Sequence, residues 1–168
     1  MADTRASVVR DTLLGTPDLD ELRARTRSAE PQRHAYVALL GLRNYAPLRI
    51  VATVRKGLPY SALLRLQRNT GLSATVLADL AQIPARTLAR RKQLGKLDPD
   101  ESDRLVRVTR VIGRAVELFE GDVRTAREWL STSHLPLGGR TPLELARTDV
   151  GAREVENLVG RLEHGIVT

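Results

Sequence analysis

The sequence predicts an all-α fold, in which a basic helix-turn-helix bundle precedes a small helical domain. Apolar residues recur at spacings of three and four through almost all of the 168 residues, and no stretch shows the sustained alternation typical of β-strands. Gly and Pro interrupt this pattern at short intervals, which indicates short helices joined by short turns. Hydrophobic residues make up 42% of the chain, which is enough for a packed core.

Gly and Pro punctuation divides the chain into three predicted parts. The first part, 1–45, is an N-terminal helical extension with loosely defined helices at 8–14, 19–27 and 36–42. The second part, 46–97, is a helix-turn-helix region with helices at 48–55, 60–68, 73–82 and 85–93. The third part, 98–168, contains a long helix followed by shorter helices at 123–130 and 150–164.

The long helix of the third part has the clearest start signal. Asp98 is a candidate N-cap, Pro99 suits the first helical position, and Glu101 can complete a capping box. Until Gly121 ends the helix, one face is apolar, with Leu105, Val108, Ile112 and Phe119 at spacings of three and four. We expect this helix to connect the two halves of the protein. A second capping box is predicted at 141–144.

The charge of the chain is distributed unevenly. The formal net charge is +7, with a pI near 10.7. Residues 1–110 hold 20 basic and 11 acidic residues, a net charge of +9, whereas residues 111–168 hold 7 and 9, a net charge of −2. This asymmetry favours a basic surface that binds nucleic acid and a near-neutral surface that binds protein. The alternative is charge scattered over the surface for solubility.

Composition excludes several classes of site. The chain has no Cys, so it can form neither disulfides nor thiolate metal sites. No window approaches the roughly 20 apolar residues that a membrane-spanning helix needs, and nothing at the start marks the chain for export. We therefore expect a cytoplasmic protein without a membrane, metal or cofactor requirement.

The stretch 83–97, IPARTLARRKQLGKL, predicts the second helix of a helix-turn-helix. Ile83 precedes a proline and should end one helix, and Pro84 should start the next. All five charged residues of the stretch are basic. At 100° per residue the sequence places two sets of side chains on opposite sides: Ala85, Leu88 and Ala89 docked inward, and Arg86, Thr87, Arg90 and Arg91 facing outward.

An outward guanidinium face suits the DNA major groove, where Arg pairs with guanine and also binds phosphates. Replacing Arg90 and Arg91 together by Ala is therefore expected to abolish operator binding at nearly constant thermal stability. The alternative is a solvated basic face on an ordinary helical hairpin.

The last helix carries an apolar stripe, formed by Val155, Leu158, Val159, Leu162 and Ile166. Such a stripe usually belongs to the core. The tail GIVT, residues 165–168, follows the helix with two apolar side chains. It either packs on its own domain or fills a pocket of a partner.

Four blocks in this order resemble one family: GLPYSALLRLQRNTGLS, TLARRKQLGKLDPDESDRLVRV, AREWL and LGGRTPLELARTDVGAREVENLVGRLEHGI. They are similar to the Xre/MbcA/ParS antitoxins, and the resemblance covers about residues 46–166. It implies an antitoxin of a type II toxin–antitoxin pair, whose cognate toxin is a RES-domain protein that consumes NAD or transfers ADP-ribose from it. It also implies repression of the antitoxin's own operon by the N-terminal domain and toxin binding by residues 98–168.

The resemblance assigns roles to individual residues. The candidates for operator DNA are Arg86, Thr87, Arg90, Arg91 and Lys92. The candidates for toxin contact, with the tail at the mouth of the NAD pocket, are Arg153, Glu156, Asn157, Arg161, Glu163, His164, Gly165, Ile166, Val167 and Thr168. The signature turn at 138–141 is expected to be structural. We expect a homodimer or higher oligomer, because operators of this class are read as paired half-sites.

The sequence bears differently on two other classes of function. An enzyme is disfavoured, because His34, His134 and His164 are isolated and no catalytic motif is present. A stand-alone helix-turn-helix transcriptional repressor without a toxin partner is compatible with the sequence.

Overall fold

A computed structural model describes residues 35–42 and 46–166. The helices expected at 8–14 and 19–27 lie outside the described residues, as do Val167 and Thr168 of the tail. None of the helices in the described ranges is both long enough and apolar enough to cross a membrane.

The described residues confirm the all-α prediction, with nine α-helices, one 3₁₀ turn and no β-strand beyond two isolated bridges. The helices are α1 (Ala35–Leu39), α2 (Pro47–Lys56), α3 (Tyr60–Thr70), α4 (Ala74–Leu80), α5 (Ala85–Leu94), α6 (Pro99–Leu118), α7 (Val123–Ser131), α8 (Pro142–Leu145) and α9 (Asp149–Glu163). The 3₁₀ turn, Leu135–Leu137, lies between α7 and α8.

The helix starts follow local signals that the sequence contains. The Ser73 hydroxyl accepts a hydrogen bond from Val76 N at the start of α4. Full capping boxes begin α6 at Asp98 and α8 at Thr141. Helix α4 ends two residues earlier than expected, because Gln82 adopts a left-handed φ of 55°. Many helix-turn-helix units place Gly at this turn, since Gly reaches positive φ without strain.

Helix α6 is the central element of the core. It packs against α1, α2, α4, α7, α8 and α9. Its inward face is buried along its length, at Leu105, Val108, Ile112, Ala115 and Val116. These side chains follow the predicted spacing of three and four. The two ends of α6 therefore belong to one continuous hydrophobic cluster.

Two glycines allow close contacts between helices. A Cβ added to Gly113 of α6 would lie 2.8 Å from Tyr36 N of α1. A Cβ added to Gly151 of α9 would lie 2.2 Å from the carbonyl oxygen of Leu145 in α8. Both distances are shorter than real Cβ contacts, so α1 crosses α6 and α8 meets α9 at positions that only glycine permits.

Candidate functional surfaces

Helices α4 and α5 form a helix-turn-helix at the basic half of the protein. The turn between them closes through a hydrogen bond from Ile83 N to Ala78 O at 2.7 Å, and the Ile83 side chain is buried. Pro84 stands at the N-cap of α5, as the sequence predicts. The local signals for this motif are therefore confirmed.

The orientation of α5 differs from the prediction. Ala85 and Ala89, expected to dock inward, are exposed, and Thr87, expected to face outward, is half-buried. The docked side of α5 is formed by Thr87, Leu88 and Arg91. The outer face of α5 consists of Arg86, Ala89, Arg90 and Gln93, which are exposed at spacings of three and four. Lys92 is exposed on the flank of this face.

Arg91 explains this difference, because its side chain is buried and ion-paired. Its Nε donates to Glu101 Oε1 at 3.1 Å and to Oε2 at 2.8 Å, and its Nη2 donates to Oε1 at 3.0 Å. Nη2 also pairs with the Asp98 carboxylate. Arg91 is 7% exposed and Glu101 6%. The expectation that Arg91 lies on the outward face of α5 is therefore wrong, because its side chain is buried. Since removing one partner of a buried ion pair is destabilising, we now expect the replacement of Arg91 by Ala to lower stability.

The ionisation of Glu101 reflects this environment. Burial would raise the pKa of Glu101, but the hydrogen bonds from Arg91 and from Asp98 N outweigh burial and hold it below its ordinary value. The hydrogen bond from Arg91 to Glu101 is the largest cause that raises the pKa of Arg91. Both groups are therefore charged at neutral pH.

The remaining cations of this stretch are not neutralised by the described chain. Within residues 35–42 and 46–166, no carboxylate forms an ion pair with Arg86, Arg90, Lys92 or Lys96. All four are exposed. The outer face of α5 and its flank thus present uncompensated positive charge next to small side chains, an arrangement that can approach a DNA groove closely.

The second surface is a groove between α1, α6 and α9, which we call the α9 groove. Its volume is about 640 Å³. It is lined by Ala35, Tyr36, Arg110, Gly113, Arg114, Glu117, Glu156, Asn157, Gly160, Arg161, His164 and Ile166. Five of the residues proposed for toxin contact line it: Glu156, Asn157, Arg161, His164 and Ile166.

Ion pairs between α6 and α9 shape the floor of the groove. Arg110 Nε lies 3.0 Å from Glu156 Oε1, and Arg114 Nη2 lies 2.7 Å from Glu163 Oε2. Arg114 also pairs with Glu117 at 2.8 Å. The carboxylates of Glu156 and Glu163 are therefore already paired with arginines of the same chain. Sequence reasoning missed the two arginines, although their separation of four on one helix was visible, because the sequence does not indicate that α9 lies beside α6.

Glu117 closes the α1 side of the groove. Its Oε1 accepts a hydrogen bond from Ala35 N at 3.1 Å. Burial raises the pKa of Glu117, and the bonds from Ala35 N and Arg114 only partly offset this effect. The carboxyl group thus connects the start of α1 to the ion pairs of α6.

The apolar stripe of α9 is mostly core. Val155, Leu158 and Val159 are buried, and Leu162 packs against the core. The ordinary interpretation of such a stripe is therefore correct here, and these side chains are not available to a partner. Gly165 adopts a left-handed φ of 67°, and Ile166 N donates a hydrogen bond back to Arg161 O at 2.9 Å at the end of α9. The Ile166 side chain is exposed.

Three further described residues proposed for toxin contact, Arg153, Glu163 and Gly165, are not part of the groove lining. Arg153 is exposed and pairs with Asp149 at 2.9 Å, one helical turn earlier. Glu163 is exposed and pairs with Arg114. The proposed toxin residues are therefore brought together only in part, with the C-terminal half of α9 as their common location.

The turn between α7 and α8 is held rigidly. His134 N donates to Arg140 O at 3.1 Å, and Gly139 N donates to His134 O at 3.0 Å. The His134 ring lies 4.8 Å from the Trp129 ring and bonds to the Trp129 carbonyl at 2.9 Å. Leu135 stands on this turn and is 92% exposed. These hydrogen bonds and the contact between the two rings hold the shape of the turn. The Leu135 side chain is left exposed to solvent.

Two family models match consecutive parts of the chain. Residues 49–110 match the antitoxin Xre-like helix-turn-helix domain. Residues 114–165 match the antitoxin Xre/MbcA/ParS C-terminal toxin-binding domain. The first match contains the outer face of α5, and the second contains most of the α9 groove.

The chain is also similar to three proteins named Antitoxin Xre. The Photorhabdus laumondii protein is 33% identical over 148 residues, which cover 88% of this chain and 100% of that protein. The Yersinia enterocolitica protein is 48% identical over 85 residues, covering 50% of this chain and 57% of that protein. The Pseudomonas putida protein is 34% identical over 84 residues, covering 49% of this chain and 52% of that protein. The matched region thus spans little more than half the length of two of these relatives and the whole of the third.

Proposed function

The chain belongs to the Xre/MbcA/ParS family of antitoxins, and on that premise we propose that it neutralises a RES-domain toxin and represses its own operon. The family is one of antitoxins and not of enzymes, and a toxin-binding domain implies a cognate toxin partner. The proposal rests on the presence of both matched domains on one chain, joined by α6. The first domain carries the exposed basic face of α5, and the second carries most of the α9 groove.

The proposed toxin contact lies at the C-terminal half of α9. Arg161 and His164 line the α9 groove, and neither has an ion-pair partner among the described residues. Ile166 lines the same groove, and its side chain is exposed. We propose that the tail enters the NAD pocket of the toxin and excludes NAD sterically, while the groove binds the surrounding surface.

Co-expression with the toxin tests this proposal. The reading frame next to the gene is expressed together with the full-length antitoxin or with a variant that lacks residues 165–168. Deleting these residues should leave α9 folded, because they lie beyond its last turn. We expect pull-down of the toxin by both forms, and depletion of cellular NAD with growth arrest only for the truncated form.

A surface variant serves as the control. Arg124→Ala removes one partner of the exposed pair with Glu128 on α7 and should protect as well as the parent. Full protection of NAD and growth by the truncated form would show that the tail does not block the pocket. A neighbouring frame that encodes no RES-domain toxin would favour the stand-alone repressor instead.

The proposed operator contact is the outer face of α5, with Arg86 and Arg90 as its cations. Replacing both by Ala should abolish binding to the promoter fragment and reduce the salt dependence of binding, because each phosphate contact releases counterions. Thermal stability should be unchanged, since both side chains are exposed. The matched control replaces Arg124 and Arg140 by Ala. Both side chains are exposed, and this double replacement removes the same charge as the replacement of Arg86 and Arg90. Equal loss in both double variants would mean that net charge, and not this face, determines binding.

A homodimer completes the proposal. A single short recognition helix gives limited affinity, and paired half-sites require two copies of α5. Exposed apolar side chains on α2, Leu48 and Val51, support a dimer contact in the basic half of the chain.

A further inference from the structure

Arg91 lies within the recognition helix yet points away from its outer face. We propose that Arg91 is a positioning residue for operator binding: through Glu101 and Asp98 it sets the rotation of α5 about its own axis, so that Arg86 and Arg90 face the DNA. This inference rests on the proposed DNA-binding function and adds a residue that itself does not touch DNA.

Apolar packing is too sparse to determine the orientation of α5. Of its ten residues only Arg91 is buried. Leu88 and Thr87 are half-buried, and Leu94 is 62% exposed. Because hydrophobic stabilisation scales with the apolar area removed from water, α5 has little apolar contact to resist rotation. At its C-cap, Gly95 O accepts a hydrogen bond from Tyr60 N at 2.9 Å, which holds the end of the helix. Among the described residues, the side-chain hydrogen bonds of α5 are those of Arg91.

The geometry of this pair is well suited to setting an angle. Two nitrogens of the planar guanidinium make three hydrogen bonds to one carboxylate, with lengths from 2.8 to 3.1 Å. Such a fork defines the plane and direction of the side chain as well as its distance. A Lys side chain carries the same charge but lacks the fork, so it would hold α5 less precisely.

The carboxylate is itself held in place. Asp98 N donates to Glu101 Oε2 at 2.9 Å, which is half of the capping box that begins α6. Leu105 and Val108 then hold α6 in the core. The orientation of α5 is therefore set relative to α6, which has ten buried residues, more than any other described helix.

A small rotation would misplace the DNA-facing groups. Side chains extend to roughly 5–6 Å from a helix axis, so a rotation of about 20° moves their ends by about 2 Å. Bidentate pairing of Arg with guanine does not tolerate such a shift, whereas attraction to phosphates does. Loss of the Arg91 fork should therefore reduce specific binding much more than non-specific binding.

The test compares a promoter fragment with a scrambled fragment of equal length over a series of salt concentrations. Glu101→Gln weakens the pair from the side that lies away from DNA. The double variant Arg91→Met with Glu101→Leu replaces the pair by apolar side chains of similar size, which generally preserves folding. Arg90→Ala is the comparator for a direct contact. Thermal unfolding of every variant shows that the chain is folded under assay conditions.

We expect the double variant to bind the promoter fragment about tenfold to a hundredfold more weakly and the scrambled fragment about equally well, with an unchanged salt slope. Glu101→Gln should change specificity in the same direction by a smaller factor. Arg90→Ala should lower the slope by about 0.9.

Three results would overturn the inference. A folded double variant with the specificity of the parent would leave the DNA-binding proposal intact and remove the positioning role. A slope lowered as in Arg90→Ala would show that Arg91 contacts phosphate directly. A parent chain that binds both fragments equally would refute sequence-specific DNA binding, and the positioning role with it.

Discussion

Gly113 determines how closely α1 can approach α6. A Cβ at this position would lie 2.8 Å from the backbone nitrogen of Tyr36 and 3.3 Å from its Cα, so Gly113→Ala must displace the backbone of α1. We expect a loss of about 1–3 kcal/mol in the free energy of unfolding, measured by urea denaturation.

Gly160→Ala is the matched control for Gly113→Ala. Gly160 is also helical, but an added Cβ would meet nothing within 4 Å. Alanine there should stabilise the protein by roughly 0.5–1 kcal/mol through helix propensity alone. Equal effects of the two substitutions would contradict the close crossing of α1 over α6.

Two glutamates should give stability opposite dependences on pH. The pKa of Glu101 is below its ordinary value of 4.5, because the hydrogen bonds from Arg91 and Asp98 N, with the nearby charges of Arg91 and Arg104, outweigh its burial. The stability that Glu101 contributes is therefore present above about 4.5 and is lost as pH falls through its folded-state pKa. Burial raises the pKa of Glu117 above 4.5. The stability that Glu117 contributes is present below pH 4.5 and is lost as pH rises through its folded-state pKa.

Urea unfolding of Glu101→Gln and Glu117→Gln across pH separates these contributions. The deficit of Glu101→Gln relative to the parent should shrink as pH falls below about 4.5. Glu117→Gln should gain stability relative to the parent as pH rises above that value. Differences that do not vary with pH would contradict both assignments.

Residue-level prediction from sequence succeeded where the cause is local. The caps at Asp98 and Thr141 involve partners three residues away, so spacing alone reveals them. The burial of Arg91 was not predictable in this way. Its partner Glu101 is ten residues away on another helix, and only the path of the intervening turn brings the two side chains together.

At the scale of single elements, the rigid turn between α7 and α8 presents Leu135 to solvent. Because hydrogen bonds and the Trp129–His134 stack already hold this turn, little conformational entropy remains to be lost on binding. A preorganised, exposed Leu in a toxin-binding domain is a good candidate for a contact that inserts into an apolar pocket.

We expect Leu135→Asp to weaken toxin binding about tenfold or more, measured by calorimetry with the purified toxin. Thermal stability should be unchanged, because the side chain is 92% exposed. Leu94→Asp is the control, since Leu94 is 62% exposed on α5, outside the matched toxin-binding domain. Unchanged affinity for Leu135→Asp would exclude this turn from the interface.

Helix α9 shows what an element's pattern can and cannot reveal. Its existence and length follow from the spacing of its apolar residues, and the helix runs within one residue of the prediction at each end. The partner of its apolar face does not follow, because a stripe looks the same whether it packs on its own domain or on another protein. Burial of Val155 and Val159 assigns the stripe to the core.

At the scale of the whole molecule, the basic half and the α9 groove are joined through α6, through the packing of α3 on α7 and through a few polar contacts. Arg104 of α6 donates to Ala81 O at 2.7 Å, next to the turn of the helix-turn-helix. Arg147, just after α8, pairs with Asp79 of α4 at 3.3 Å. The sequence predicted this division from charge, but not the contacts across it, which depend on the packing of helices far apart in the chain.

Dimerisation is the remaining whole-molecule prediction, and α2 is the element that supports it. Ile50 is buried and Val54 half-buried, so one side of α2 is held by the core. The opposite side exposes Leu48 by 83% and Val51 by 46%. Since Leu48 and Val51 are three residues apart, they lie on one face of the helix. An exposed apolar face in the half of the chain that contains the helix-turn-helix is a candidate surface for pairing two copies of it.

Light scattering and operator binding together test whether this face of α2 is the dimer interface. Replacing Leu48 and Val51 by Asp should give a monomer at concentrations where the parent is a dimer, because four like charges would meet across a two-fold axis. Promoter affinity should then fall, since each half-site is bound without its neighbour. The variant should keep the helix content of the parent, measured by circular dichroism, and lose only the stability that dimerisation adds. The matched control replaces Leu64 and Val76, both 42% exposed, by Asp. If the control variant dissociates and the α2 variant does not, the dimer interface lies on α3 and α4. A parent that is monomeric at every concentration, with and without toxin, would exclude the dimer.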